Sequence, residues 1–154
     1  MSEQTKPSSS PSSNNNSELS SLPTTARINI SSGSKWESLV GYSRVVRVGN
    51  QVFVAGTVSS DEETGNVVGC NDPYQQAAFI LSKIERYLNK VGAQRKHVVR
   101  TRMFVINASQ WEEITKAHFE FFQDMKPVAT LVEVSALIGK EYLVEIEVDA
   151  IIHD

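Results

Sequence analysis

The chain has 154 residues, 40% of them hydrophobic, and carries a formal net charge of -3 with a pI near 5.6. One globular domain fits this length and apolar content, and a second has no room. The negative charge speaks against nucleic acid or an anionic membrane as a partner. No run approaches the roughly 20 apolar residues of a membrane-spanning helix, and the single cysteine, Cys70, excludes an internal disulfide and a multi-thiolate zinc site. We therefore expect a soluble, cytoplasmic protein.

The first 25 residues differ in composition from the rest. Ser, Asn, Pro and Thr dominate them, and almost nothing apolar is present to offset the entropy of ordering. We expect a disordered tail over residues 1–25 and one domain over residues 26–154. A mitochondrial targeting peptide is the alternative for the tail, but Glu3, Glu18 and the scarcity of arginine speak against it.

Three β-rich runs follow the tail, at Arg27 to Ile30, Ser43 to Val48 and Gln51 to Val58. Gly49 and Asn50 both tolerate a positive φ, so a tight hairpin is predicted between the second and third runs. A polar loop over residues 61–69 comes next.

A first amphipathic helix is predicted from Asp72, which can cap the helix beside Pro73, to Gly92. Its apolar stripe has the spacing of one buried face and consists of Ala77, Ile80, Leu81, Ile84, Leu88 and Val91. Four polar residues lie off that stripe, namely Gln76, Lys83, Glu85 and Arg86.

A strand, a second helix and two final strands complete the pattern. The strand covers His97 to Ile106, and alternation assigns to its core face Val99, Thr101, Met103 and Val105. Ser109 to Glu112 has the form of a capping box for the helix, which ends before Pro127. Its predicted buried side consists of Trp111, Ile114, His118, Phe121 and Phe122. The last strands are predicted at Val128 to Ala136 and Tyr142 to Ile152.

This order of elements predicts an α+β fold, in which two crossover helices cover one face of a single mixed sheet. On the last strand the apolar residues should face the helices, which sends Glu145, Glu147 and Asp149 to the uncovered face together with Arg100 and Arg102. A solvated sheet face and a subunit interface with arginine–carboxylate pairs both fit this pattern.

From Trp36 to His153 the chain resembles the Rid (reactive intermediate deaminase, YjgF-like) family. The resemblance lies in the order and spacing of short segments: Gly41-Tyr42-Ser43, Val48-Gly49-Asn50, Val54-Ala55-Gly56, Val99-Arg100-Thr101, Phe104-Val105, Pro127-Val128-Ala129-Thr130 and Val144-Glu145-Ile146-Glu147. It implies a chorismate-mutase-like fold and a homotrimer, whose three sheets form a central barrel and whose clefts between subunits bind a small-molecule ligand.

The same resemblance implies a chemistry and a set of site residues. Family members hydrolyse imines and enamines, such as 2-aminoacrylate, to a keto acid and ammonia, and use neither a metal nor an organic cofactor. Glu145 matches the family glutamate that serves the water or ligand, and Tyr42 matches a tyrosine of the cleft, although the proline that usually precedes it is missing. The matching segments place Gly56, Ala129 and Thr130 beside the ligand.

One departure leaves the function open. Typical members carry an arginine that grips the substrate carboxylate, and Ala129 occupies that position here. Arg102 from the adjacent strand, or Arg44 from the hairpin, could supply a cation instead. The first reading is a hydrolase of a small imine, enamine or related carbonyl compound; the alternatives are a catalytically inactive trimeric small-molecule-binding or regulatory protein, and a scaffold trimer.

His118-Phe119-Glu120 resembles the His-x-Glu fragment of zinc nucleobase deaminases. The cysteine pair that completes such a metal site is absent, because Cys70 stands alone. We expect no metal, and we expect His118 to be a half-buried residue of the second helix.

Overall fold

The computed structural model describes residues 26–154, so the predicted tail at residues 1–25 lies outside the described residues. Six strands and three α-helices follow one another in this part of the chain. They are β1 (Arg27–Ile30), α1 (Lys35–Val40), β2 (Val45–Val48), β3 (Gln51–Val58), α2 (Pro73–Lys90), β4 (Val98–Val105), α3 (Trp111–Phe122), β5 (Val128–Glu133) and β6 (Val144–Ile151). Within residues 26–154, no helix has both the length and the apolar character needed to cross a membrane.

The strands form one mixed sheet in the order β1-β2-β3-β6-β4-β5. β4 and β5 run parallel, and every other neighbouring pair runs antiparallel. α2 connects β3 to β4 and α3 connects β4 to β5, which makes two crossover units as predicted. The predicted α+β fold with a single mixed sheet is confirmed.

The core lies between the sheet and the helices α2 and α3. All six residues of the predicted α2 stripe are fully buried, and Asp72 caps the helix by accepting a hydrogen bond from the amide of Gln75. Val144, Ile146 and Val148 of β6 are also fully buried. The prediction that β6 turns its apolar side to the helices is therefore confirmed.

Gln76 and Lys83 lie off that stripe but are buried as well. Each has its polar atoms bonded inside the protein. The Gln76 amide bridges two backbone groups, and the Lys83 ammonium contacts oxygens of residues 60 and 62. Long polar side chains at the border of an apolar stripe can be buried when hydrogen-bond partners are available inside the protein.

The predicted core phase of β4 is wrong at Val99, which is 37% exposed. Between Val98 and Arg100 the register with β6 shifts, because β4 advances two residues while β6 advances one. This β-bulge inserts Val99 as the extra residue and gives its core place to Val98. Thr101, Met103 and Val105 are buried as predicted.

The start of α3 also differs from its prediction. The cap comes from Asn107, whose side chain accepts hydrogen bonds from the amide and hydroxyl of Ser109 and so starts a short 3-10 turn ahead of the helix. The capping box at Ser109 to Glu112 is not formed. Trp111 becomes the first residue of α3 and is 52% exposed, so its predicted burial is wrong.

The helix-free face carries the predicted rows of charge. Arg102 Nη1 lies 3.1 Å from Glu147, and its Nη2 lies 3.3 Å from Asp149. Arg100 Nε lies 3.7 Å from the same aspartate. Exposed apolar side chains, Phe53, Val128 and Val132, lie in register with these rows. Within one protomer this face is neither a buried core nor a fully polar surface.

Candidate functional site

A cavity of about 660 Å³ opens beside the end of β3 and the start of β6. Three of the residues that the sequence pointed to line it, namely Tyr42, Gly56 and Glu145. α1, which the sequence reading did not assign, contributes Trp36 and Val40. The structure therefore brings half of the predicted site residues together in one cavity.

Glu145 is the carboxylate at the centre of this arrangement. Its neighbours across the sheet are apolar, because Val58 of β3 and Phe104 of β4 stand directly opposite it. Burial raises the pKa of Glu145, the Arg44 guanidinium lowers it, and Glu147 raises it again, so the pKa ends above its usual value. Such a carboxyl can exchange protons with a bound water or substrate closer to neutral pH than an ordinary glutamate.

Gly56 makes room for that carboxylate. A β-bulge in β3 places three residue steps, from Val54 to Thr57, opposite two steps of β6. A Cβ on Gly56 would lie 2.1 Å from Glu145 Oε1, so any side chain there would force the carboxylate to move. The glycine thus lets the Glu145 carboxylate rest against bare backbone, whereas its place beside a ligand stays a prediction.

Arg44 lies next to these residues and is 8% exposed. Its Nη2 donates a hydrogen bond to the carbonyl oxygen of Gly56. Its guanidinium carbon stands 5.9 Å from the centre of the Tyr42 ring, in a cation–π arrangement. Tyr42, Arg44, Gly56 and Glu145 therefore form one connected group along the cavity.

A second buried cation lies on the cavity wall. Lys83 Nζ donates to the Ser60 carbonyl oxygen at 2.8 Å and lies 3.5 Å from Glu62 Oε1. Glu62 also accepts a hydrogen bond from the Tyr87 hydroxyl. Burial lowers the pKa of Lys83, and the neighbouring Glu62 opposes this shift only in part. The network ties the loop after β3 to α2 and compensates the lysine charge.

α1 is held at the cavity by the buried carboxylate of Glu37. This carboxylate accepts hydrogen bonds from the Ser31 hydroxyl and from the amide and hydroxyl of Ser32. Burial raises the pKa of Glu37, but these bonds and the charge of Arg44 outweigh it and hold the pKa below its usual value. Because these hydrogen bonds hold α1 in place, Trp36 and Val40 present apolar surface to the cavity.

Three predicted site residues lie elsewhere in the protomer. Arg102 is engaged with Glu147 and Asp149 on the open face and does not line this cavity, so its contact with a ligand stays a prediction. Ala129 pairs with Thr101, which pairs with Val148, so Ala129 stands two strands and three residues from Glu145. With ordinary strand spacings this is about 14 Å. Thr130 pairs with Arg102, and both β5 residues are exposed.

His118 is half-buried, as expected, and its Nε2 lies 2.8 Å from the Thr101 hydroxyl. Burial lowers the pKa of this imidazole. Among residues 26–154, no three or more His, Cys, Asp or Glu side chains are grouped so as to hold a metal ion. The histidine links α3 to β4 at a distance from the cavity lining.

The sequence reading missed the part of the site that lies between distant segments. Lys83 and Glu62 act through each other across 21 residues of sequence, between α2 and the loop after β3, and no local pattern marks them. Glu37 bonds the nearby Ser31 and Ser32, in a segment that has no periodic signal. Arg44 was considered only as a minor alternative to Arg102. Its place directly before the buried Val45 was the available signal, because the start of a core strand can enclose the residue before it.

Comparison with known proteins identifies the family of this chain. The sequence profile of the family described as "Endoribonuclease L-PSP" matches residues 33–152. The chain is 43% identical to a crystallised member of the YjgF/YER057c/UK114 family from Mycobacterium tuberculosis, with a TM-score of 0.75 over 82% of this chain and 100% of that chain.

Two curated relatives are similarly related. A RutC family protein of Pyrococcus abyssi is 33% identical over 106 residues, which are 69% of this chain and 82% of the relative. The 2-iminobutanoate/2-iminopropanoate deaminase of Dermatophagoides farinae is 32% identical over 108 residues, 69% of this chain and 81% of the relative. The chain therefore belongs to the Rid family of YjgF-like proteins, which the endoribonuclease L-PSP profile describes.

Proposed function

We propose that this protein hydrolyses small imines, and the enamines that tautomerise to them, to a carbonyl compound and ammonia. The observation that carries the proposal is Glu145, a carboxylate with a raised pKa that lines a cavity together with Tyr42. Perturbed carboxyls in cavities are candidates for general acid–base chemistry. The name of the mite relative, a deaminase of 2-iminobutanoate and 2-iminopropanoate, supports the same substrate class.

The reaction needs a base, an acid and a positioned water. Glu145 takes a proton from the water as the water oxygen forms a bond to the imine carbon. The electron pair of the C=N double bond moves to nitrogen, which takes up a proton and gives a carbinolamine. Protonation of that nitrogen and loss of the hydroxyl proton release ammonia and leave the carbonyl product. One carboxyl that gives and receives protons in turn can serve both stages.

We further propose that the working form is a homotrimer with ligands in clefts between subunits. The charged rows and the exposed Phe53, Val128 and Val132 share the helix-free face, where a central barrel would cover them. β5 is one of the two edge strands of the described sheet, so its Ala129 and Thr130 are available to the cavity of a neighbouring subunit. This would bring the predicted residues of β5 to Glu145 across the interface.

The test is a coupled assay on the full-length protein. A dehydratase generates 2-aminoacrylate from serine, and the rate of pyruvate release is followed with and without the protein. Wild type should accelerate release, and Glu145→Gln should not, whereas the exposed neighbour Glu141→Gln should behave as wild type. No acceleration by wild type with any imine of a panel of acidic and neutral compounds would refute the hydrolase.

A second candidate, a trimeric small-molecule-binding protein without catalysis, is favoured by one observation. Ala129 gives no cation where typical members have arginine. Binding of keto acids or imines without turnover would support this candidate. Ala129→Arg separates the two readings, because a gain of turnover would show that only the anchor was missing.

A further inference from the structure

Arg44 is a buried cation that has no charge partner among residues 26–154. Its side chain is 8% exposed, and within that part of the chain nothing accepts a hydrogen bond from its Nε. Among the described residues, no carboxylate lies within salt-bridge distance of its guanidinium. A buried charge with an unmet donor is costly, so proteins rarely keep one without a use.

The two nearby carboxylates, Glu37 and Glu145, do not compensate the buried charge of Arg44. Glu37 is occupied by Ser31 and Ser32. Glu145 is close enough for the charge of Arg44 to lower its pKa, but among residues 26–154 the two side chains form no salt bridge. Neither carboxylate therefore neutralises Arg44 by direct contact.

Two cations, Arg44 and Lys83, lie on the cavity wall, which also carries the carboxylates of Asp61, Glu62 and Glu145. Lys83 lines the same cavity, and the charge of Arg44 contributes to lowering the pKa of Lys83. The lysine has Glu62 to compensate it, whereas the contacts of Arg44 are with neutral groups, the carbonyl of Gly56 and the ring of Tyr42. An anion placed against Arg44 would relieve both the unmet donor and the repulsion between the two cations.

We infer that Arg44 binds the carboxylate of the substrate, which makes the preferred substrates 2-imino acids. The inference rests on the proposed function for the identity of the anion. A guanidinium offers five N–H donors, so donors remain for a carboxylate after Nη2 has bonded Gly56. Arg44 thus supplies, from the start of β2, the anchor that Ala129 does not supply from β5. Through the Gly56 carbonyl it also holds the bound acid beside Glu145.

The rival explanation is a neighbouring subunit whose carboxylate covers Arg44 in the assembled protein. The two ideas differ in what Arg44→Gln changes. An anchor variant loses affinity for acids and keeps its assembly, whereas an interface variant loses assembly and keeps its affinity per site.

The experiment measures binding of 2-oxobutanoate and of its neutral analogue 2-oxobutanamide by titration calorimetry, with full-length protein and light scattering on each sample. Wild type should bind the acid about tenfold or more tightly than the amide, since a charge-assisted contact commonly contributes that much. Arg44→Gln should remove this preference by weakening the acid alone, and Arg44→Lys should keep part of it. The exposed Arg95→Gln should leave it intact, and Arg102→Gln, measured beside it, tests the other arginine that the sequence offered as the cation.

Equal affinities of wild type for acid and amide would overturn the inference, and so would a loss of preference with Arg102→Gln rather than Arg44→Gln. A trimer that dissociates in Arg44→Gln while acid binding persists would assign the arginine to the interface. If Arg44→Gln does not fold, the Nε–H signal of Arg44 in the wild-type nuclear magnetic resonance spectrum decides. The acid should shift it, the amide should not, and no shift with the acid refutes the anchor.

The imine assay keeps the two proposals apart. Acid binding that depends on Arg44, without any imine turnover, would remove the hydrolase and leave an anion-binding site. Turnover that is indifferent to Arg44→Gln and to the substrate carboxylate would remove the anchor and leave the hydrolase.

Discussion

Gly56 of β3 and the Glu145 side chain of the neighbouring strand β6 are in close contact: a Cβ on Gly56 would come within 2.1 Å of Glu145 Oε1. We predict that Gly56→Ala displaces the carboxylate and lowers kcat/KM for imine hydrolysis by about 100-fold, because misplacement by about 1 Å can cost that much. The enforced shift should also lower the free energy of unfolding by about 1–3 kcal/mol. Rate assays and urea denaturation measure the two effects.

Gly139→Ala is the matched control. Its added Cβ would meet the Glu141 carboxylate at 2.9 Å, but Glu141 is an exposed side chain that can move aside. Activity and stability should stay near wild type. If Gly56→Ala behaved like Gly139→Ala, the close approach to Glu145 would have no functional meaning.

Glu145→Gln should lose activity and gain stability. Removing a general acid–base group costs about 10²–10⁴-fold in rate. Because the folded-state pKa of Glu145 is raised, the folded protein holds this proton more tightly than the unfolded chain, and wild type loses stability as pH rises from the usual 4.5 through the folded pKa. The Glu145→Gln variant has no ionisable group at this position and does not lose stability in this way. Denaturation at pH 7 should therefore show a more stable variant, and the gap should close below pH 4.5.

The opposite result at neutral pH, a variant less stable than wild type, would mean that the ionised carboxylate is well compensated in the folded protein. It would also contradict the raised pKa on which the proposed chemistry depends.

The pH dependence of kcat/KM should respond to the two charges beside Glu145. If ionised Glu145 is the base, the rate rises with pH through its raised pKa, above the usual 4.5. Arg44 lowers that pKa, so Arg44→Gln should move the rise to higher pH. Glu147 raises it, so Glu147→Gln should move the rise to lower pH. Shifts of equal sign, or none, would assign the rise to another group.

Charge reversal on the helix-free face should prevent assembly. Arg102 lies between Glu147 and Asp149, so Arg102→Glu gathers carboxylates on a face that the trimer would bury, at a cost of about several kcal/mol. Light scattering should report three times 17.1 kDa for wild type and a single 17.1 kDa chain for the variant. Arg95→Glu, which reverses an exposed pair with Glu85, should stay trimeric. A monomeric wild type would end the proposal of intersubunit clefts.

The sequence predicted the regular elements well because their signals are periodic. The α2 stripe and the alternation along β6 each repeat over several turns or residue pairs, so one odd residue does not hide them. The bulge at Val99 could not be foreseen in this way. It depends on how β4 pairs with β6, a strand that follows it by some forty residues.

The candidate site was predicted in part for the same reason. Glu145 follows from alternation and from the family resemblance, whereas the burial of Arg44 depends on packing between β2, the bulge in β3 and α1. α1 is only six residues long, which is too short for a periodic signal. It is held in place by the hydrogen-bonded carboxylate of Glu37. A site that forms where several short segments pack together can be identified only from a three-dimensional structure.

Gln76 offers a test of how the strand that bears Glu145 is held. It is fully buried on α2, where Nε2 donates to the Glu141 carbonyl at 3.0 Å and Oε1 accepts from the Leu143 amide at 2.8 Å, just before β6 begins. Gln76→Leu leaves both backbone groups without a hydrogen-bond partner, so the free energy of unfolding should fall by about 1–3 kcal/mol.

The exposed neighbour Gln75→Leu is the matched control and should change stability by about 0.5 kcal/mol or less. The Leu143 amide that Gln76 binds lies two residues before Glu145. Gln76→Leu should therefore also lower kcat at temperatures where the protein is fully folded, with a smaller effect on KM. A variant that is destabilised but retains full kcat would show that Gln76 holds the loop without positioning the carboxylate.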